Sequence, residues 1–152
     1  NKQLDRFRAL AESKEISLEF KNLASSPLEL EYDDEKVGLA VKNILANAVD
    51  YTPKDGAVTV SLQRPDVDHA TITIKDTGIG IPKKELDRIF TKFYRSKQAL
   101  LMETDRSGLG LYITKHIIDQ HNGTITIESE EGKGVTVTIT IPMLQETSSN
   151  NI

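Results

Sequence analysis

The sequence contains no cysteine, which excludes disulfide staples, thiolate metal ligands and cysteine nucleophiles at once. A reducing compartment agrees with that absence without following from it. No apolar run approaches the roughly 20 residues needed to span a bilayer, and the first residues do not resemble a signal peptide. Positive charge is not in excess either. Nineteen Lys and Arg against 23 Asp and Glu leave a formal net charge of −4, which argues against nonspecific nucleic-acid binding. What remains is the composition of one globular domain: 152 residues, 38% hydrophobic and 28% charged, suffice to bury a single core.

Periodicity divides the chain. Leu4, Phe7, Leu10 and Ala11 recur at helical spacing and predict a helix over residues 3–13. The period then falls to two: Ile16, Leu18 and Phe20 predict a strand, and Leu28, Leu30 and Tyr32 a second one beyond a Ser-Ser-Pro turn. Asp33-Asp34 caps a long helix over about 34–50, which Pro53 to Gly56 stops. Alternation at 58–62 and 70–74 around Arg64-Pro65-Asp66 predicts an antiparallel hairpin. A short helix over 83–90 and an irregular stretch over 95–108 follow. A helix from about 109 then ends at Asn122-Gly123, and two strands carry Ile125 and Ile127, then Val135, Val137, Ile139 and Ile141. There is no internal repeat, and residues 145–152 form a polar tail beyond a domain of residues 1–144. Strands that each bury one face, interleaved with helices, make a two-layer α/β sandwich with helices on one side of the sheet.

Four clusters carry chemistry. On the 34–50 helix, Asn43, Asn47 and Asp50 line up nearly opposite Val37, Val41, Ile44, Leu45 and Ala48. A solvated face is the plain explanation, but asparagine is a poor helix former, and two of them one turn apart present carboxamide oxygens. Asp76-Thr77-Gly78-Ile79-Gly80-Ile81-Pro82 follows a strand; its glycines let backbone approach a ligand, or simply make a tight turn. Arg106-Ser107-Gly108-Leu109-Gly110-Leu111 opens a helix, where free N–H groups and the dipole suit phosphate, though it lacks the lysine of a Walker loop. In Arg88-Ile89-Phe90-Thr91-Lys92-Phe93-Tyr94-Arg95, followed by Lys97, aromatics and cations interleave. Phe90 and Phe93 are expected to point inward, leaving Arg95 and Lys97 free.

In order and spacing these clusters resemble the N, G1, F and G2 boxes of sensor histidine kinase catalytic domains, the resemblance running from about residue 4 to 142. It implies the Bergerat-type sandwich, a mixed and mostly antiparallel sheet under three main helices, holding ATP beneath a flexible lid over residues 97–107. By the same resemblance Asn47 binds Mg²⁺, Asn43 lies near the phosphates and Arg95 reaches the γ-phosphate. Asp76 accepts from the adenine amino group, Tyr51 flanks the base, and Gly78 and Gly80 make room for the nucleotide. The implied contact set is completed by Asp50, Ile81, Lys97, Arg106, Ser107, Gly108, Leu109 and Gly110. The activity it implies is transfer of the ATP γ-phosphate to a histidine on a separate dimerisation and phosphoacceptor domain, with a response regulator downstream. The chain reads as a fragment, the cytoplasmic catalytic domain of a receptor that can itself be membrane-anchored, and is expected to be monomeric and not inserted in a membrane.

Two positions depart from the family pattern. Asp50 stands where a basic or polar residue is usual, and Arg106 where a glycine is usual. Arg106 or Lys54 is expected to supply the positive charge missing at position 50. His69, His116 and His121 lack the context of a phosphoacceptor and read as structural. Other readings are a nucleotide-responsive module that no longer transfers phosphate, another ATPase of the superfamily such as an anti-sigma-factor serine kinase or a gyrase-type clamp, and a protein-interaction domain.

Overall fold

The computed structural model describes residues 2–24, 34–101 and 107–143. Its elements are α1 (Lys2–Ser13), β1 (Ser17–Asn22), α2 (Asp34–Tyr51), β2 (Ala57–Gln63), β3 (His69–Asp76), a 3₁₀ turn (Lys83–Arg88), α3 (Lys97–Leu101), α4 (Gly110–Gln120), β4 (Thr124–Glu130) and β5 (Gly134–Pro142). The strand expected over 28–32, the 145–152 tail and Arg106 lie outside the described residues.

The five strands form one sheet in the order β1-β2-β3-β5-β4, with β1 parallel to β2 and every other pair antiparallel. Alternation sends Val58, Ile74, Ile125, Val137, Ile139 and Ile141 to the face that meets the helices. Across the opposite face runs a row of hydroxyls, Thr126, Thr138, Thr73 and Ser61 in register. From α2, Val37, Ala40, Ile44, Leu45, Ala48 and Val49 enter the core, and from α4 Ile117 and Ile118 join them. Each nearly sealed isoleucine contributes on the order of 1.5–3 kcal/mol. Where α4 packs on α2, the buried Thr114 donates to the Ala40 carbonyl at 3.4 Å. Among the described residues no helix is long and apolar enough to cross a membrane.

Turn chemistry sets the ends. Asn122 takes φ 53 and Gly123 N–H returns to the Ile118 carbonyl at 2.9 Å, stopping α4 where Asn-Gly predicts it. The helix expected over 83–90 is instead the 3₁₀ turn Lys83–Arg88, which starts behind Pro82 with Glu85 N–H on the Pro82 carbonyl at 2.8 Å. The irregular stretch expected over 95–108 contains α3, whose first free N–H groups are met in part by Ser96 Oγ accepting from Ala99 N–H at 3.1 Å.

Register places the end of β3 beside the start of both its neighbours, Val58 opposite Asp76 and Thr136 opposite Lys75. Gly134 can lie there only as glycine, since at φ +97 a Cβ would come 2.0 Å from the Asp76 carbonyl oxygen. Gly38, by contrast, sits inside α2 with nothing within 4 Å of an added Cβ. Gly38→Ala should therefore raise stability by about 0.5–1 kcal/mol in urea denaturation, while Gly134→Ala should lower it or prevent folding. Equal effects would contradict this packing.

Candidate functional site

The end of β3, one side of α2, the loop after β3 and the start of α4 enclose a cavity of about 420 Å³, a size suited to a small molecule. One wall is the row Leu39, Asn43, Asn47 and Tyr51 of α2. Each four-residue step advances about 40° around a helix, so this row drifts sideways along the axis. By the last turn the cavity-facing position is Tyr51, and Asp50 has rotated out of the wall. Asp50 faces Lys14, with 4.0 Å between carboxylate and ammonium. The same ammonium donates to the carbonyls of Val49 at 2.7 Å and Asp50 at 3.1 Å, a cation where the helix dipole favours one. Of the two cations expected to compensate at position 50, Lys54 pairs instead with Glu15 at 2.7 Å and Arg106 lies outside the described residues, while Lys14 stands beside Asp50.

Asp76 forms the floor, only 6% exposed. Its Oδ1 accepts from Gly78 N–H at 2.8 Å and Val135 N–H at 3.1 Å. Burial pushes its pKa up to about 6, and the two N–H groups pull it down without cancelling that cost. Both described bonds fall on Oδ1, which leaves Oδ2 as the acceptor available to the cavity that Asp76 lines. The apolar wall around it comes from Ile74, Ile79, Ile127, Val135 and Val137.

The loop over 77–81 is braced from two sides. Ile79 N–H donates to the Tyr51 carbonyl at 3.1 Å, and Gly132 N–H to the Ile79 carbonyl at 2.8 Å. Ser129 Oγ accepts from Ile81 N–H and donates to the Gly134 carbonyl, both at 2.8 Å. Gly78 and Gly80 make room first for the protein's own backbone. A Cβ would lie 2.5 Å from the Tyr51 oxygen at Gly78 and 2.1 Å from the Glu130 oxygen at Gly80, where φ is +68. Gly80 and Ile81 line the cavity; Gly78 does not.

At the far end Arg95 lines the cavity, its Nη2 donating to the Ala99 carbonyl at 2.9 Å. Lys97 is exposed and is not part of the wall. Phe90 packs on the core as expected, but Phe93 is 69% exposed. At φ 62 its N–H bonds the Gly108 carbonyl at 3.1 Å, and the ring is left outside. Gly108, at φ +74, lies against the Phe93 backbone, where a Cβ would be 2.8 Å from its carbonyl carbon. Ser107, Gly108, Leu109 and Gly110 line the cavity at the start of α4, a helix end with no side-chain cap from Leu109. Asn43 Nδ2 donates to the Gly110 carbonyl at 3.4 Å. Tyr94, Ser96 and Ala99 also line the wall and were not among the expected contacts; only the aromatic Tyr94 carried a signal in the sequence.

Among the described residues no group of three His, Cys, Asp or Glu could hold a metal. A hard cation here would rely on few protein oxygens, and the Asn47 carboxamide at the cavity wall is one. None of the histidines lines the cavity: His69 meets Asp66 at 2.9 Å, His116 meets Gln120 at 3.2 Å, and His121 Nδ1 meets the Ile117 carbonyl at 2.7 Å.

Comparison with known proteins agrees with this arrangement. Residues 32–145 match the family model described as histidine kinase-, DNA gyrase B-, and HSP90-like ATPase. The chain is 39% identical over 145 residues to the sensor histidine kinase WalK of Bacillus subtilis, covering 94% of this chain and 23% of that protein. It spans 20% to 30% of the length of the curated relatives it matches. A mycobacterial sensor histidine kinase structure, MprB, superposes with TM-score 0.79 at 30% identity, covering 93% of this chain and 94% of that one. Full-length ShkA in complex with AMPPNP superposes with TM-score 0.77 at 25% identity over 95% of this chain and 29% of that one. The chain therefore belongs to the histidine kinase-, DNA gyrase B-, and HSP90-like ATPase family, among the catalytic ATPase domains of sensor histidine kinases.

Proposed function

We propose that the cavity binds ATP with Mg²⁺ and presents the γ-phosphate to a histidine on a separate dimerisation and phosphoacceptor domain of the same protein, with a response regulator downstream. The observation that carries this reading is the buried Asp76 carboxylate, with Oδ1 engaged by two N–H groups and an apolar wall around it. An acceptor so enclosed selects a flat apolar ring bearing an amino group, which describes adenine. Tyr51 flanks that ring.

From there the wall leads to Asn47 and Asn43, then to the glycines opening α4. Asn47 is the protein oxygen placed for Mg²⁺, and what the bound ion supplies is neutralisation of the triphosphate oxygens. Asn43 and the N–H groups over 107–110 orient the phosphates. Arg95 meets the terminal phosphate. In the transfer a P–N bond to the acceptor imidazole forms, the P–O bond to the β-phosphate breaks, ADP leaves and the imidazole proton goes to solvent. The chain's own part is positioning and charge stabilisation. ATP is cytoplasmic, so the reaction would run there. The Lys14 ammonium beside Asp50 supports a site in which that carboxylate does not repel the triphosphate.

Calorimetric titration with a nonhydrolysable ATP analogue, with and without Mg²⁺, tests the assignments. Asp76→Asn should weaken binding under both conditions, and Asn47→Ala chiefly with Mg²⁺ present. The same Asp76→Asn change should stabilise the free domain at pH 8 by about 1–3 kcal/mol, because it removes the cost of ionising a buried carboxyl. The sign follows from linkage: a raised folded-state pKa makes the folded form bind more protons, so the free domain loses stability as pH rises from about 4 to about 6. Nucleotide affinity should run the other way, flat above pH 7 and falling by up to about tenfold per unit below pH 6 as a proton competes with the amino group. Affinity unchanged from pH 8 to 5 would remove Asp76 from the contact.

A further inference from the structure

One buried charge lies outside the residues assigned above. Glu85, in the 3₁₀ turn Lys83–Arg88, is only 7% exposed, and glutamate is almost never so buried without a partner. Its partner is the Tyr94 phenol, which donates to Oε2 at 2.9 Å. The Arg88 guanidinium lies over the same ring, 4.8 Å from its centroid. Burial, then the hydrogen bond and charge of Glu85, hold the phenol above the ordinary tyrosine range.

Tyr94 lines the cavity, and the next residue is Arg95. Residues 91–96 belong to no helix or strand. Backbone bonds from Phe93 N–H to Gly108 and from Tyr94 N–H to Thr91 hold this segment. Among the described residues, the only hydrogen bond from a side chain of residues 91–94 is the one from Tyr94 to Glu85. Glu85 is itself anchored by Pro82, directly after Ile81, which Ser129 braces. A continuous set of contacts thus runs from the loop over 77–81 to Arg95.

We propose that Glu85 and Tyr94 are positioning residues of the nucleotide site: their hydrogen bond fixes Tyr94 in the cavity wall and so sets the direction in which Arg95 meets the terminal phosphate. This rests on the reading of Arg95 given above. Titrating the chain with Mg²⁺ and either ADP or a nonhydrolysable ATP analogue isolates the terminal phosphate as the ratio of the two affinities. Arg95→Ala should abolish the analogue's advantage. Tyr94→Phe and Glu85→Ala should each reduce it by about threefold to tenfold, the worth of one hydrogen bond, with ADP affinity nearly unchanged. Glu85→Gln, whose amide oxygen still accepts, should keep most of it. A purely structural bond would lower thermal stability and leave the ratio alone. If Glu85→Ala does not fold, Tyr94→Phe, which removes one oxygen, decides. No analogue advantage in the parent chain, or an unchanged ratio in Arg95→Ala, overturns the Arg95 assignment and the inference with it. A ratio that changes in Arg95→Ala and not in Tyr94→Phe overturns the inference alone.

Discussion

A carboxyl group buried at the end of a strand must find hydrogen bonds or give up its charge, and Asp76 is held between those outcomes. Two backbone N–H groups reach Oδ1, one from the loop after β3 and one from the start of β5. They do not fully offset burial, and the pKa stands at about 6. The group is ionised at neutral pH at a cost in stability, and a ligand amino group would recover part of that cost. Several features of the fold follow from keeping this carboxylate in place. The order β3-β5-β4 brings Val135 beside it, and Gly134 lets β5 begin against the Asp76 backbone.

The same economy of backbone contact builds the rest of the cavity. Gly80 lets the loop after β3 touch the turn between β4 and β5, and Gly108 lets the start of α4 touch Phe93. Ser129 ties the first of these junctions with a hydroxyl that both accepts and donates. The Asp76 side of the cavity is therefore anchored on several elements at once. The side at the start of α4 leans on fewer: a 3.4 Å bond from Asn43 to Gly110, the Arg95 contact with α3, and the Tyr94–Glu85 bond. A firmly braced end beside a more lightly held one suits the proposed function, in which one end of the ligand is bound and the other offered.

Much of this was legible in the sequence, for identifiable reasons. One-sided burial writes itself as alternation, so β2, β3 and β5 could be read from Val58, Ile74 and Ile139 and their neighbours. Asn43 and Asn47 stood out because a solvated helix face has little use for asparagine. What escaped was set by tertiary geometry. Asp50 shares a helical-wheel sector with the asparagines, but the sideways drift of the i+4 row turns it to Lys14. Phe93 looked like core until its left-handed backbone put the ring in solvent. Gly78 and Gly80 were rightly singled out as places of close approach, but what approaches most closely is the Tyr51 and Glu130 backbone. Nothing in local pattern could name Glu85 as the partner of Tyr94, since a glutamate in a Lys-rich turn reads as a solvated charge.

The central claim is that the acceptor at Asp76 reads an amino group. Replacing that group while leaving the sugar and phosphates intact is the most direct test. Calorimetry of the domain with ATP and with inosine triphosphate, which carries a carbonyl in its place, should show the inosine nucleotide binding at least about tenfold more weakly, as expected for losing a hydrogen bond to a buried charge. Equal affinity for the two would contradict the assignment of Asp76, and with it this account of how the cavity recognises its ligand.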